Sequence, residues 1–445
     1  MFAGREVLVA GAGVTGTSVA RALLDLGARV TVTDGNADRL TDLPAGAATV
    51  AGLTEPPAGT DLVVTSPGWT PASPLLVAAA AAGIEVIGEV ELAWRLGQTL
   101  ENPPAWLAIT GTDGKTTTVG MLESILLAGG AKAVACGNVG LPVIDAVLGG
   151  YDVLAVELSS YQLYWQSSMR ASAAAVLNLA EDHLEWHGSM AAYVEAKARI
   201  YTGAGTAVYN ADDELVAGLA AGLPNRLGFT LRDPGPGECG VRDGWLFDGE
   251  PLCPVAEVRP AGQHNVANAL AAAALARVHG VSARAVREGL NAFTPPPHRV
   301  ELIADAGGIR YVNDSKATNT HAAAGSLRAF DDVVWIAGGL LHGADVDALV
   351  AGVADRLRGV VLMGADQDVF AAALARHAPD VPVHRVVSGE HEPMISAVRA
   401  ANALAGQGAV VLLAPAAKSH DMFASYVHRG TAFAEAVHSV LAESR

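Results

Sequence analysis

Three times along this chain an apolar run ends in a glycine turn and gives way to a helical pattern. Residues 7–10 run into Gly11-Ala-Gly13-Val-Thr-Gly16, residues 106–110 into Gly111-Thr-Asp-Gly114-Lys115, and residues 333–337 into Gly338-Gly339. A strand that turns through glycine into a helix opens a βαβ unit, and repeated openings of this kind demand sheets of parallel strands flanked by helices. The fold expected is therefore α/β. With 445 residues, one core is excluded, because single cores stop growing near ~250–300 residues. The pattern breaks at Glu101-Asn-Pro-Pro104 and again at the PPPHR segment, residues 295–299. These breaks predict three α/β domains in series, 1–102, 103–297 and 298–445. Residues 233–254, rich in glycine and proline, read as loops or small antiparallel strands.

Composition narrows what such a chain binds. The residues are 51% hydrophobic and 17% charged, as in packed globular domains. The alanine-rich runs at 75–83 and 269–278 fall short of the ~18 apolar residues of a membrane span. Residues 1–4 pass straight into a strand with neither a basic leader nor a small-residue cleavage site, so a cytoplasmic location is expected. Cys136, Cys239 and Cys253 are odd in number and widely spaced, without metal-ligand spacing. A net charge of −17 argues against a general grip on nucleic acid. An anionic ligand must be held by a few local cations and by backbone N–H groups.

The glycine turns supply those groups. Gly11 to Gly16 spell G-x-G-x-x-G after a strand and before a helix, with Asp34 at the end of the next strand. That pattern suits a nucleotide diphosphate at a helix N-terminus, and equally a structural βα turn. The second turn, ITGTDGKTTT at 109–118, has isoleucine at 109 where G-x-x-x-x-G-K-[ST] requires glycine. Gly111, Gly114, Lys115 and Thr116 still supply a backbone cradle, a cation for terminal phosphates and a hydroxyl for Mg²⁺. A glycine turn with an incidental lysine is the alternative. The apolar strand 151–156 stops at Glu157, with Ser159 and Ser160 next, and the strand 174–179 stops before Glu181-Asp182-His183. Ligands of open α/β sheets sit at the carboxyl ends of strands, which would place Glu157 beside the loop as a Mg²⁺ ligand and makes His183 a candidate site residue; a carboxylate exposed to solvent and a structural histidine are the alternatives.

ITGTDGKTTT, GNVGLP (137–142), VELSSYQL (156–163), NLAEDH (178–183), AKARIY (196–201), GQHNVANAL (262–270), PHR (297–299) and NDSKATN (313–319) together resemble the ATP-dependent Mur ligases of peptidoglycan synthesis. The shortened loop is that family's own version. The resemblance implies a Rossmann-like first domain, a central phosphate-loop ATPase-type domain with a mainly parallel sheet, and a Rossmann-like C-terminal domain. GAGVTG, Ser66-Pro67-Gly68 and SHDMFASYVHRGTAF from Ser419 resemble the D-glutamate-adding branch; another Mur ligase or a folylpolyglutamate synthase-like ligase is the alternative. The implied substrates are UDP-N-acetylmuramoyl-L-alanine, D-glutamate and ATP, taken by a monomer.

By the same resemblance, residues 111–117, Gly111, Thr112, Asp113, Gly114, Lys115, Thr116 and Thr117, hold ATP, with Asn265 and Asn268 on the nucleotide. Arg299 and Asp314 fix its phosphate and ribose. Thr116 and Glu157 hold one Mg²⁺. Gly13, Val14, Thr15, Asp34, Ser66, Pro67 and Gly68 form a UDP site, Asn138 bridges toward the muramoyl part, and Ser159 counts among the substrate contacts. Lys115, His183, Lys197 and Lys316 are the implied catalytic residues. Lys197, whose residue-level alternative is an ordinary surface lysine, is implied to be carbamylated and to hold a second Mg²⁺ with His183. Ligands drawn from three domains imply closure about hinges near Pro103 and Pro297. Two departures stand out: His342 replaces a lysine expected to hold a D-glutamate carboxylate beside Thr318 and Ser419, and Tyr426 stands where phenylalanine is common. Lys418 or a protonated His342 is the expected substitute cation.

Overall fold

The computed structural model describes residues 2–387 and 392–443. The chain forms two compact units, Met1–Glu257 with Ala267–Phe293, and Val258–Val266 with Thr294–Arg445. In the first unit β1 (Glu6–Ala10), β2 (Arg29–Thr33), β3 (Ala48–Thr49), β4 (Leu62–Thr65) and β5 (Glu85–Gly88) make a parallel sheet in the order β3-β2-β1-β4-β5. Both faces are covered, so β1 is an unbroken apolar run. Val7 and Val9 pack under the helix Val14–Asp25 with Val19 and Leu23, while Leu8 and Ala10 meet Leu75, Leu76 and Ala79 of the helix Pro74–Ala81. The direction in which successive strands are added reverses between β1 and β4, which opens a crevice at their carboxyl ends. The GAGVTG turn and Ser66-Pro67-Gly68 both lie there. At Gly16 a Cβ would stand 1.8 Å from the Gly11 carbonyl oxygen, so this close approach of helix to turn requires glycine.

The second sheet of this unit contains β6 (Ala105–Thr110), β7 (Ala133–Gly137), β8 (Val153–Glu157), β9 (Ala173–Val176), β10 (Thr206–Asn210), β11 (Arg226–Phe229), β12 (Glu238–Arg242), β13 (Trp245–Asp248) and β14 (Glu250–Pro254). Its order is β14-β13-β12-β11-β10-β9-β6-β8-β7. Strands β7 to β12 are parallel, and β12-β13-β14 form an antiparallel meander over the glycine- and proline-rich stretch. Strand β6 lies between β8 and β9, so the loop that follows it faces the ends of both neighbours.

The second unit carries β15 (Glu301–Ala306), β16 (Ile309–Asn313), β17 (Val333–Ala337), β18 (Leu357–Leu362), β19 (Val383–Arg385) and β20 (Val410–Leu413), in the order β15-β16-β20-β17-β18-β19. All pairs are parallel except the β15–β16 hairpin. No helix among the described residues is long and apolar enough to cross a membrane.

A hinge near Pro103 is not what the structure shows. The first and second sheets share one compact unit and one core, in which Val90, Ala93 and Leu96 of the helix Glu89–Gly97 join Val143, Ile144 and Val147. Two buried carboxylates stitch the seam. Glu89 accepts a 2.7 Å bond from the Ile144 N–H in the first turn of the helix Val143–Leu148. Glu91 accepts from the Ser167 and Ser168 N–H groups at 2.9 Å each, from the Ser168 hydroxyl at 2.6 Å and from Arg95 at 2.7 Å. A carboxylate at a helix N-terminus is favoured by the dipole and the free N–H groups, which offsets part of its desolvation.

Burial nevertheless dominates at Glu89. It pushes the carboxyl up to about 7, against the Ile144 N–H and with the help of Asp145. The native state then binds a proton that the unfolded chain has released between pH 4.5 and about 7, so stability falls as pH rises through that window. The shift corresponds to a loss on the order of 3 kcal/mol. Glu89→Gln, neutral at every pH, should flatten that part of the decline in urea midpoint between pH 5 and 8. Parallel curves for the two proteins would contradict this account of the seam.

Candidate functional site

Strand β6 ends at Thr110, and the helix Lys115–Ala128 begins after Gly114, which is left-handed at φ 81°. A Cβ at Gly114 would lie 2.4 Å from Asn268 Oδ1. The loop between is shaped from the end of β9. Thr112 N–H donates to the Asn178 carbonyl at 3.0 Å, Asp113 N–H to Asn178 Oδ1 at 2.8 Å, and Asn178 Nδ2 returns a 3.2 Å bond to the Asp113 carbonyl. The Thr112 hydroxyl meets the Tyr193 hydroxyl at 2.9 Å and accepts from the Ala180 N–H at 3.0 Å. Lys115 Nζ lies across the loop, donating at 2.9 Å to the carbonyls of both Gly111 and Thr112. Thr116 and Thr117 occupy the first helical turn, whose N–H groups an α-helix leaves without intrahelical partners. A cation beside exposed helix N–H groups suits a phosphate.

Glu157, the last residue of β8, is buried at 1% exposure. Its Oε1 accepts from Asn138 Nδ2 at 2.9 Å, and its Oε2 is buried with no partner among the described residues. An unsatisfied buried acceptor costs about 1–3 kcal/mol, more when charged. Mg²⁺ is bound by one or two carboxylates completed by substrate phosphates and water. The free Glu157 oxygen, with the Thr116 hydroxyl in the neighbouring helix, fits that ion. Ser159 is committed to a reciprocal cap with Gln162.

Lys197 is not a surface lysine. It is 2% exposed in the helix Met190–Ala198, donates to the Gly111 carbonyl at 2.7 Å and to the Thr110 hydroxyl at 3.3 Å, and stands 4.8 Å over the Tyr193 ring. Burial, then the charge of Lys115, drives its pKa well below that of an ordinary lysine. His183 is left-handed, with Nε2 3.3 Å from Asp182 Oδ2 and its ring 4.9 Å from Tyr161. His187, 2.9 Å from the Ser160 hydroxyl, is pushed down to about 4 by burial, then by His183 and Lys197.

In the first sheet's crevice Gly13 caps the helix Val14–Asp25, Val14 is 74% exposed and Thr15 follows it. Asp34 is buried, and its oxygens accept from the Ala12 and Asn36 N–H groups at 2.9 Å each. It braces the glycine turn.

The second unit gathers another group. Asp314 accepts from the Ser326 hydroxyl and, at 3.3 Å, from the Val300 N–H. Arg299 lies between His298 and Val300, both left-handed at φ 64° and 50°. Lys316 Nζ stands 4.4 Å over the Tyr426 ring, and the Lys316 carbonyl accepts from the Thr318 N–H at 2.8 Å. Ser419 is buried; Leu340 and Lys418 exchange backbone hydrogen bonds of 2.9 and 3.0 Å, which brings the GGLLHGAD turn beside it, with His342 exposed. Asn265 belongs to this unit and bonds the Ala261 carbonyl, whereas Asn268 belongs to the first.

Three residues given no role from sequence shape these groups. Asn178 and Tyr193 hold the phosphate loop. Tyr193 stands four residues before Lys197, a spacing that shares one helix face. Arg429, 1% exposed, donates to the Ser315 hydroxyl and carbonyl and to the Ala417 carbonyl at 2.9–3.0 Å, and burial brings its pKa down to about 10. It ties residues 313–319 to the segment before Ser419.

The comparisons agree along the chain. A Mur ligase MurD-like N-terminal domain matches residues 5–88, a Mur ligase middle domain residues 109–230, and a Mur ligase glutamate ligase domain residues 298–417. This chain belongs to the Mur ligase family. It is 52% identical to the UDP-N-acetylmuramoylalanine–D-glutamate ligase of Streptomyces coelicolor over 98% of each chain. It is 53% identical to that of Thermobifida fusca, over 98% of this chain and 99% of the other. Two similar solved structures are a pseudomurein peptide ligase type C from Methanothermus fervidus (TM-score 0.61, 98% and 100% covered) and the UDP-N-acetylmuramate-alanine ligase of Thermotoga maritima (0.60, 98% and 99%). Both are 19% identical to this Mur ligase and speak for its fold.

Gly114→Ala in this Mur ligase forces a side chain into the left-handed region and against Asn268. Calorimetry with a non-hydrolysable ATP analogue should show affinity down at least about tenfold, the equivalent of 1–2 kcal/mol. Unchanged affinity would mean that the loop does not cradle the phosphates.

Proposed function

We propose that this Mur ligase adds D-glutamate to UDP-N-acetylmuramoyl-L-alanine with consumption of ATP, acting as a cytoplasmic monomer in peptidoglycan precursor synthesis. Identity above one half over the full length, first sheet included, carries the reading. A folylpolyglutamate synthase-like ligase would lack this first domain. The chemistry is carboxylate activation. An oxygen of the alanyl carboxylate attacks the γ-phosphorus, the bond to the leaving ADP oxygen breaks, and an acyl phosphate results. The amine of D-glutamate then attacks the acyl carbon and loses a proton, and phosphate departs with one carboxylate oxygen. Placement and charge neutralisation supply nearly all the rate.

The residues support this division of labour. Lys115 neutralises terminal phosphates, while Glu157 and Thr116 hold Mg²⁺, whose chemistry is to offset charge on the transferring group. Asn268 and Asn265 contact the nucleotide, and Arg299 and Asp314 its phosphate and ribose. Lys316 faces the transferring group, with Thr318, Ser419 and either Lys418 or protonated His342 on the D-glutamate carboxylate. The first-sheet crevice, with Gly13, Val14, Thr15 and residues 66–68, takes the UDP part, and Asn138 reaches toward the muramoyl part. Lys197, buried and easily neutral, would add CO₂ through its free amine and release a proton to become a carbamate, which with His183 would hold a second Mg²⁺.

Two measurements test this reading. ADP release should require both the UDP-sugar and D-glutamate, assayed against a panel of amino acids; ATP turnover independent of either substrate would point to a phosphate-loop protein without ligation chemistry. Lys197→Ala should be nearly inactive and partly restored by acetate. Full activity without additive would leave Lys197 only structural.

A further inference from the structure

Among the groups around Arg299 and Lys316, one histidine joins the two. The Asn313 side chain, fully buried at the end of β16, is held by three partners: Oδ1 accepts from the Ser315 N–H at 3.2 Å, and Nδ2 reaches the Gly430 carbonyl and His298 Nδ1, both at 2.9 Å. The first two partners are backbone groups with fixed roles, a donor and an acceptor, so the amide cannot turn over. Nδ2 therefore donates, and His298 Nδ1 must accept. The imidazole is confined to the tautomer with its proton on Nε2.

The same residue is tied down on its other sides. Its N–H donates to Glu301 Oε2 at 2.8 Å and its carbonyl accepts from the Lys316 N–H at 3.2 Å. The ring lies so close to Gly430, in the helix Tyr426–Glu443, that a Cβ there would come within 2.4 Å of Nδ1. Left-handed backbone at a histidine, and two residues on at the β-branched Val300, is strained and persists only where surroundings over-determine it. The ring on Asn313 supplies that determination. Arg299 sits between the two strained residues and Lys316 hangs from the His298 carbonyl.

We propose that His298 is a positioning residue, whose accepting Nδ1 on Asn313 sets Arg299 and Lys316 in one geometry for phosphoryl and acyl transfer. This rests on the roles proposed above for Arg299 and Lys316. Misplacement by about 1 Å of groups that orient reactants costs up to about a hundredfold in rate.

The test is steady-state kinetics of the full chain with all three substrates, together with calorimetric binding of the UDP-sugar. His298→Ala should lower kcat by at least about tenfold and leave UDP-sugar affinity unchanged. His298→Asn puts an accepting oxygen at the position of Nδ1 and tolerates left-handed backbone, so it should recover activity to within about threefold of the parent. Gly430→Ala keeps the histidine but fills its seat; it should reproduce the kcat loss, and should cost nothing further when His298 is already alanine. Should His298→Ala fail to fold, His298→Asn and Gly430→Ala still decide. Full kcat in His298→Ala or in Gly430→Ala, or an Asn variant as poor as the alanine one, overturns the proposal. Arg299→Ala and Lys316→Ala measured alongside separate the two levels: loss in both with full activity in His298→Ala sinks only the positioning role, whereas full activity in both sinks the roles on which it rests.

Discussion

The paired hydrogen bonds between Asn178 and Asp113 are the constraint on which the rest of the first unit's site depends. A standard phosphate loop bends early, on a glycine at the place of Ile109. Here Ile109 is fully buried within β6, paired with Glu157 on one side and Ala175 on the other. The strand therefore runs two residues further before the chain turns, and the bend is imposed from outside by Asn178, Tyr193 and the Ala180 N–H. A shorter loop is sufficient because its neighbour strand holds it. The same register brings Glu157 to the strand end beside the loop.

From that geometry the electrostatics follow. The chain carries a net charge of −17, yet the Gly111 carbonyl draws two lysines onto one oxygen, Lys115 at 2.9 Å and Lys197 at 2.7 Å. Crowding two ammonium groups together, one of them fully buried, favours loss of a proton from the buried one. One arrangement thus places a cation at the loop and lowers the proton affinity of the buried amine beside it. The second oxygen of Glu157 is buried without a partner among the described residues, the kind of acceptor that a cation would satisfy.

Much of this was legible in the sequence, and the reasons are local. Apolar runs ending in glycine mark β1, β6 and β17 because both faces of a parallel strand are buried, and Glu157 follows from its place at the end of β8, whereas β9 stops at Val176 and His183 caps the helix Leu184–His187. What was not legible depends on partners distant along the chain. Glu89 and Glu91 look like ordinary first-turn acids of a helix, and only the fold brings Ile144 and Ser167 to them, closing the seam where a hinge near Pro103 was expected. Lys197 sits in an alanine-rich helix without a clear apolar stripe, so its burial has no periodic signal. Arg429 and the His298–Asn313 pair lie within quoted motifs, yet their roles rest on backbone carbonyls and a locked amide, which residue type does not reveal.

The central claim is that the cradled phosphate activates a carboxylate. Its most direct measurement is oxygen transfer: UDP-N-acetylmuramoyl-L-alanine labelled with ¹⁸O in both alanyl carboxylate oxygens, converted with ATP and D-glutamate, and the released phosphate examined by mass spectrometry. The account predicts one ¹⁸O in each phosphate and one retained in the amide product. Phosphate free of label, with its new oxygen coming from water, would contradict it.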